Sequence, residues 1–155
     1  MTIHADFSSK FNLYTLPLEG QKFLSNPAAT ESRSIALCTL ELQAAYANFY
    51  KYAPKHKVIS TLRTRQFQAT VYAKGRTAPG DIVTKARPGY SYHNYGVAFD
   101  AVPLDENGLL IWSKKHKAWQ EMRYAAHQAD LEWGGLWQLQ DFPHFQLRNL
   151  PKFPK

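Results

Sequence analysis

Cysteine is almost missing from this sequence: Cys38 is the only one in 155 residues. An intrachain disulfide framework is therefore excluded. Cys38 sits in the apolar stretch SIALCTLELQAAY, without the polar, positive setting that activates a thiol. It is expected to be a small buried hydrophobe rather than a nucleophile. No apolar run approaches the ~20 residues that cross a bilayer. The opening MTIHADFSSKFNLY lacks the charged start and apolar centre of a secretory signal. Synthesis in the cytoplasm is expected, with any export by another route. Internal repeats, low-complexity tracts and linkers are also missing. The length suits one domain with a real core. The expected organisation is a single unit over 1–155, with 1–30 irregular around the breakers PLEG and SNPAAT.

What the chain does have is positive charge. Lys and Arg outnumber Asp and Glu 19 to 12, a formal net charge of +7. The basic residues concentrate at Lys51 to Lys57, at Lys114 to Lys117 and in the run LPKFPK. Such a balance suits an anionic partner, or serves solubility alone. No nucleic-acid recognition motif accompanies it, so no nucleic acid is expected.

Apolar spacing predicts a helix from about Ser34 to Tyr52, ended by Pro54, and KVIST reads as a short strand. Thr64 is a candidate N-cap for a helix that carries Phe67 and Val71 and stops near Gly75. Residues 76–92 are rich in Gly, Pro and Thr and read as a long ordered loop, a feature that is often functional. VAFDAVPL and LLIW read as two strands around a DENG turn. KAWQEMRYAAHQADLEWGG reads as a helix stopped by Gly134 and Gly135, and HFQL as a closing strand. Helices and strands are partly segregated, which predicts an α+β fold with a small, mainly antiparallel sheet and helices on one side.

Two of the six histidines stand in purposeful settings. His93 and Asp100 lie seven apart in SYHNYGVAFD, just where the chain turns apolar and extended. A half-buried Asp100 needs a partner. His144, in DFPHFQL, shares one strand face with Gln146, while Phe145 and Leu147 take the other. His93, Asp100 and His144 form a two-histidine, one-carboxylate set that can bind zinc and leave a position open for water. Asp141, three residues before His144, is the natural carboxylate to work on that water. A cation for the oxyanion would complete such a site. His4, His56, His116 and His127 are expected to be structural.

These residues carry a family resemblance. GRTAPGDIVTKARPGYSYHNYGVAFD and LEWGGLWQLQDFPHFQL resemble the M15 peptidases, the D-Ala-D-Ala carboxypeptidase and L-alanyl-D-glutamate endopeptidase family. The shared pattern is S-x-H-x-x-G-x-A-x-D, then W-G-G-x-W and D-x-P-H-F. The endopeptidase branch, which includes phage endolysins, is the nearer. The resemblance runs from about Ile35 to Leu147 and leaves 1–30 outside.

It implies a hedgehog/DD-peptidase-like fold, one zinc ion on His93, Asp100 and His144, and Asp141 as the acid/base. It also implies Arg63 as the arginine that stabilises the polarised carbonyl, followed at the family spacing by Gln68 and Tyr72. STLR stands where members often carry a glycine before that arginine. Ser91, Gln68 and Trp137 are candidate substrate contacts, each with a structural alternative. Arg76 and Arg87 could meet substrate carboxylates, and Glu132 is expected in a supporting role.

The implied activity is zinc-dependent hydrolysis of the L-alanyl-D-glutamate bond in peptidoglycan, with bacterial wall lysis by a monomer that a holin releases. Anionic envelope polymers are a candidate partner for the positive charge. The alternatives are a D-Ala-D-Ala carboxypeptidase on the same scaffold and a non-catalytic binding module that retains the metal site.

Overall fold

The computed structural model describes residues 8–154. Among the described residues four α-helices and four strands follow one another: α1 (Leu18–Ser25), α2 (Leu40–Tyr52), β1 (His56–Ser60), α3 (Arg65–Ala73), β2 (Ala98–Pro103), α4 (Ala118–Gln128), β3 (Leu131–Trp133) and β4 (His144–Leu147). The strands form one antiparallel sheet in the order β1-β2-β4-β3. The expected α+β class, with its mainly antiparallel sheet, is what the chain adopts.

The pleat divides the sheet into two chemically different faces. Phe99, Ala101, Leu131, Trp133 and Phe145 point to one side and are buried against Leu42 and Phe49 of α2 and Trp119, Met122 and Ala126 of α4. Phe99 and Phe145 are cross-strand partners with rings stacked at 5.3 Å. Their neighbours Asp100 and His144, also directly paired, point the other way. On β1 the register shifts between Val58 and Ser60, so two residues there oppose one on β2. This bulge sets Ser60 opposite Asp100. Among the described residues no helix is long and apolar enough to cross a membrane.

Several local expectations hold. Thr64 caps α3 by accepting a hydrogen bond from the Phe67 amide, and Gly75, at φ +75°, follows the helix end. Cys38 is fully buried, and burial pushes its thiol up to about 12.

Others need correction. The helix expected from Ser34 begins at Leu40, because Thr39 takes the cap and receives the Leu42 amide. A 3₁₀ turn at Ile35–Leu37 precedes it. The helix expected to run to Gly134 ends at Gln128. Asp130 adopts a left-handed φ of 55° there, and LEW becomes strand β3 instead. LLIW is not a strand: only a single bridge joins Leu104 to Leu110, and Leu109 and Trp112 are exposed. Residues 1–30 are not irregular throughout, since α1 occupies Leu18–Ser25. Gly20 of α1 lies so close to the Leu37 carbonyl that a Cβ would collide with it.

The stacked phenylalanines should dominate stability. Phe99→Ala empties a fully buried position, and the loss is expected to be about 3–5 kcal/mol. Urea unfolding followed by circular dichroism should show it as a lowered midpoint.

Candidate active site

The open face of the sheet and the loops beside it bound a cleft of about 770 Å³. His93, Asp100 and His144 meet in it. Each offers one donor atom, and the three atoms lie within 4.8 Å of one another. Asp100 Oδ1 stands 3.1 Å from His93 Nε2 and 3.3 Å from His144 Nδ1. His144 arrives by strand register. His93 arrives by a 3₁₀ turn, Tyr92–Tyr95, that ends at Gly96 with φ +70°. Only a glycine takes that turn without strain.

The far nitrogen of each imidazole is already committed. His93 Nδ1 donates to the Thr61 carbonyl at 2.8 Å. His144 Nε2 donates to Gln146 Oε1 at 2.8 Å. In the neutral rings these bonds make His93 Nε2 and His144 Nδ1 the lone-pair nitrogens on the Asp100 side, and a proton taken up by either one makes it a donor to the carboxylate instead. Burial alone would raise the Asp100 carboxyl, but His93 and His144 outweigh it and hold the group far below the usual carboxylate range. Burial would lower the His144 imidazole; its hydrogen bond to Asp100 and the charges of Asp100 and Asp141 raise it instead. Two neutral imidazole nitrogens and a carboxylate oxygen, with their orientation set from behind, fit a tetrahedral zinc ion with one open position.

Asp141 lines the same cleft and is solvent-exposed. Its backbone is held on both sides: its amide donates to the Gly134 carbonyl at 2.9 Å, and its carbonyl accepts from the His144 amide at 3.3 Å. Gly134 allows this approach, because a Cβ there would collide with the Asp141 carbonyl oxygen. The surrounding wall pushes the Asp141 carboxyl above its ordinary value; His144 opposes the shift and the charge of Asp100 adds to it. Gly134 and Gly135, expected as helix stops, act instead in close packing.

Arg63 also reaches the cleft. Its Nε donates to Glu31 at 2.8 Å, one terminal nitrogen to Gln68 at 2.9 Å and the other to Ser60 at 3.2 Å. A guanidinium has five N–H donors. One on each terminal nitrogen is left without a protein partner among the described residues. The backbone of Arg63 is tied to the histidine turn, since its amide donates to the His93 carbonyl at 3.0 Å and its carbonyl accepts from Asn94 Nδ2 at 3.0 Å.

The candidate substrate contacts divide. Gln68 is fully buried, and its amide lies between Arg63 and the Ala86 carbonyl, where it holds the guanidinium. Ser91 caps the histidine turn by accepting from the His93 amide, which makes it a loop-shaping residue at the cleft edge. Trp137 does line the cleft, with its ring 5.2 Å from that of His144 and its Nε1 donating to Glu132 at 2.8 Å.

Arg76 lies over the Tyr72 ring at 3.8 Å and donates to the Tyr72 and Thr84 carbonyls, stapling its own loop. Arg87 lies over Tyr90. His56 is held between the Ala53 carbonyl and Tyr46, and His116 accepts from the Ala118 amide. His127 is exposed on α4, away from the metal-binding set. His4 lies outside the described residues. Sequence reasoning missed Glu31, Thr61 and Gln146. Only Gln146 left a trace, by sharing the strand face of His144.

A family model described as D-alanyl-D-alanine carboxypeptidase, of the M15 peptidases, matches residues 84–147. That span holds His93, Asp100, Asp141 and His144. The chain is 36% identical over 114 residues to the peptidoglycan L-alanyl-D-glutamate endopeptidase CwlK of Bacillus subtilis (strain 168), which covers 65% of this chain and 68% of CwlK. The crystal structure of the L-Ala D-Glu endopeptidase ChiX of Serratia marcescens shares the fold, with a TM-score of 0.55 at 22% identity over 84% of this chain and 86% of that one. Similarity to CwlK across two thirds of its length, with the family model lying on the segment that carries the site, makes this chain a member of the M15 peptidase family.

Proposed function

We propose that this M15 peptidase is a zinc-dependent peptidoglycan endopeptidase that hydrolyses the L-alanyl-D-glutamate bond of stem peptides. The observation that carries the proposal is the convergence of His93, Asp100 and His144 in a cleft that also presents Asp141 and Arg63. The choice of bond follows the name of CwlK. The endolysin-type lytic role and release by a holin belong to the same proposal, on the motif resemblance.

A zinc ion held by His93, Asp100 and His144 would supply Lewis acidity and an acidified water. The chain's own residues do the rest. Asp141, which lines the cleft beside His144, accepts the proton of the attacking water and returns one to the leaving amine. Arg63 points its two unspent N–H groups at the oxyanion that forms on the scissile carbonyl. Glu31, Gln68 and Ser60 hold the guanidinium plane in place, so little reorganisation accompanies the step. Trp137 gives the peptide a flat wall beside His144.

The description of the family model favours one second reading, a D-Ala-D-Ala carboxypeptidase. Digestion of purified peptidoglycan, with mass spectrometry of the new termini, separates the two. A new amino-terminal D-glutamyl residue is expected. Release of D-alanine as the sole product would overturn the endopeptidase assignment.

Metal content tests the ligand roles. Native protein should carry about one equivalent of zinc. His93→Ala, Asp100→Ala and His144→Ala should lose it, measured by plasma emission spectrometry after dialysis. Asp141→Ala should keep its zinc and its fold while kcat drops ~10²–10⁴-fold. Loss of zinc from Asp141→Ala would make that residue a ligand instead.

The net charge of +7 gives a further test of attraction to anionic envelope polymers. Screening shortens from ~10 Å at 0.1 M salt to ~3 Å at 1 M. Lysis of permeabilised cells should therefore fall steeply with salt, and cleavage of a short soluble muropeptide much less. Equal salt sensitivity on the two substrates would refute recruitment by charge.

A further inference from the structure

Leu150, Lys152 and Phe153, which follow β4, form part of the cleft wall. Asn149 turns the chain with a left-handed φ of 58°, and Leu150 is buried in a second apolar cluster with Phe11 and Val97. The Pro151 carbonyl accepts from the Tyr92 hydroxyl at 2.8 Å. The Phe153 ring lies 4.6 Å from that of Tyr92 and within 6.3 Å of Phe11. The segment is thus anchored on both sides of Lys152, and anchored to the turn that carries His93. Lys152 itself is exposed, lines the cleft and has no ion-pair or hydrogen-bond partner among the described residues.

The charges of the cleft make this position informative. Asp100, Asp141 and Glu132 contribute three carboxylates to the lining. Lys152 and Arg63 are the Lys or Arg side chains in it, and Arg63 is already paired with Glu31 at 2.8 Å. The substrate under the proposed function is itself an anion. A D-glutamyl residue has two carboxyl groups, and whichever one continues the peptide, the other stays free. That free carboxylate belongs to the residue on the leaving-group side of the scissile bond. Under the proposed function the zinc ion and Arg63 are assigned to the scissile carbonyl, so Lys152 is the Lys or Arg side chain of the lining left to answer that carboxylate. An ammonium on a flexible stem serves a solvated carboxylate of loosely fixed orientation better than a rigid fork does.

We infer that Lys152 is a substrate-binding residue that takes the free carboxylate next to the scissile bond, positioned by the anchoring of Leu150 and Phe153. This rests on the endopeptidase reading given above.

The test uses two soluble peptides that contain the L-alanyl-D-glutamyl bond, one with the free carboxylate and one with that group as a carboxamide. Products of the native enzyme are identified first. Cleavage at another bond refutes the endopeptidase reading alone, and the same pair of probes is then built on the carboxylate flanking the bond actually cut. Native enzyme should favour the carboxylate by about 10-fold or more in kcat/KM, the range of a hydrogen bond to a charged group. Lys152→Met should bring that ratio close to one, mainly through a higher KM on the carboxylate peptide, with zinc content and circular dichroism unchanged. Lys152→Arg should retain most of the preference. Phe153→Ala, which frees one anchor, should lower the ratio while Lys152 is still present. A native ratio near one, or a ratio that survives in Lys152→Met, would overturn the inference.

Discussion

The catalytic face of this sheet is held in register by what lies beneath it. Phe99 and Phe145 stack across β2 and β4, backed by Phe49 on one side and Trp133 on the other. Because side chains alternate along a strand, fixing that pair fixes its neighbours on the opposite face. Asp100 must then meet His144, and Gln146 must stand beside it. A slip of one residue would bury the carboxylate among aromatic rings and expose the phenylalanines. The apolar core and the His-Asp-His set are two consequences of one strand pairing, so the hydrophobic effect, which has no directional sense of its own, aligns directional chemistry.

Around that pair the polar groups are closely accounted for. The carboxylate lies between two imidazoles, each imidazole is tied from behind, and Arg63 has a partner on each of its three nitrogens. Buried polar groups are costly when unsatisfied and rigid when fully satisfied. These partners come from distant parts of the chain: Glu31 from the segment after α1, Ser60 and Thr61 from the end of β1, Gln68 from α3, and Gln146 from β4. The site has little freedom because four separate stretches agree on it.

That spread explains what the sequence could and could not show. His93, Asp100 and His144 were legible because each sits in a local pattern with its own meaning: a glycine-ended turn, the start of a strand, the polar face of another. Thr64 was legible because a cap acts within three residues. Glu31 was not, since nothing near it in sequence refers to Arg63, 32 residues away. Gln68 was found by spacing, but its burial was not, because spacing says nothing of burial. Strand β3 is three residues long, too short to display alternation, and it follows a helix whose end rests on a left-handed Asp130 rather than on a glycine. LLIW has the composition of a strand but lies outside the sheet, where its side chains stay exposed.

Gly134 has a consequence for how this sequence can drift. Its carbonyl accepts from the Asp141 amide, and the Asp141 carbonyl occupies the space a side chain would need. Every single-nucleotide exchange of a glycine codon that puts another amino acid in its place adds at least a Cβ. Each such change would shift the segment carrying Asp141 while leaving the stacked core beneath the sheet intact, so the folded protein could persist after its activity had gone. Among descendants under selection for catalysis this position would therefore stay invariant, and it would look catalytic to anyone who compared them, although it contributes a backbone hydrogen bond and an empty space.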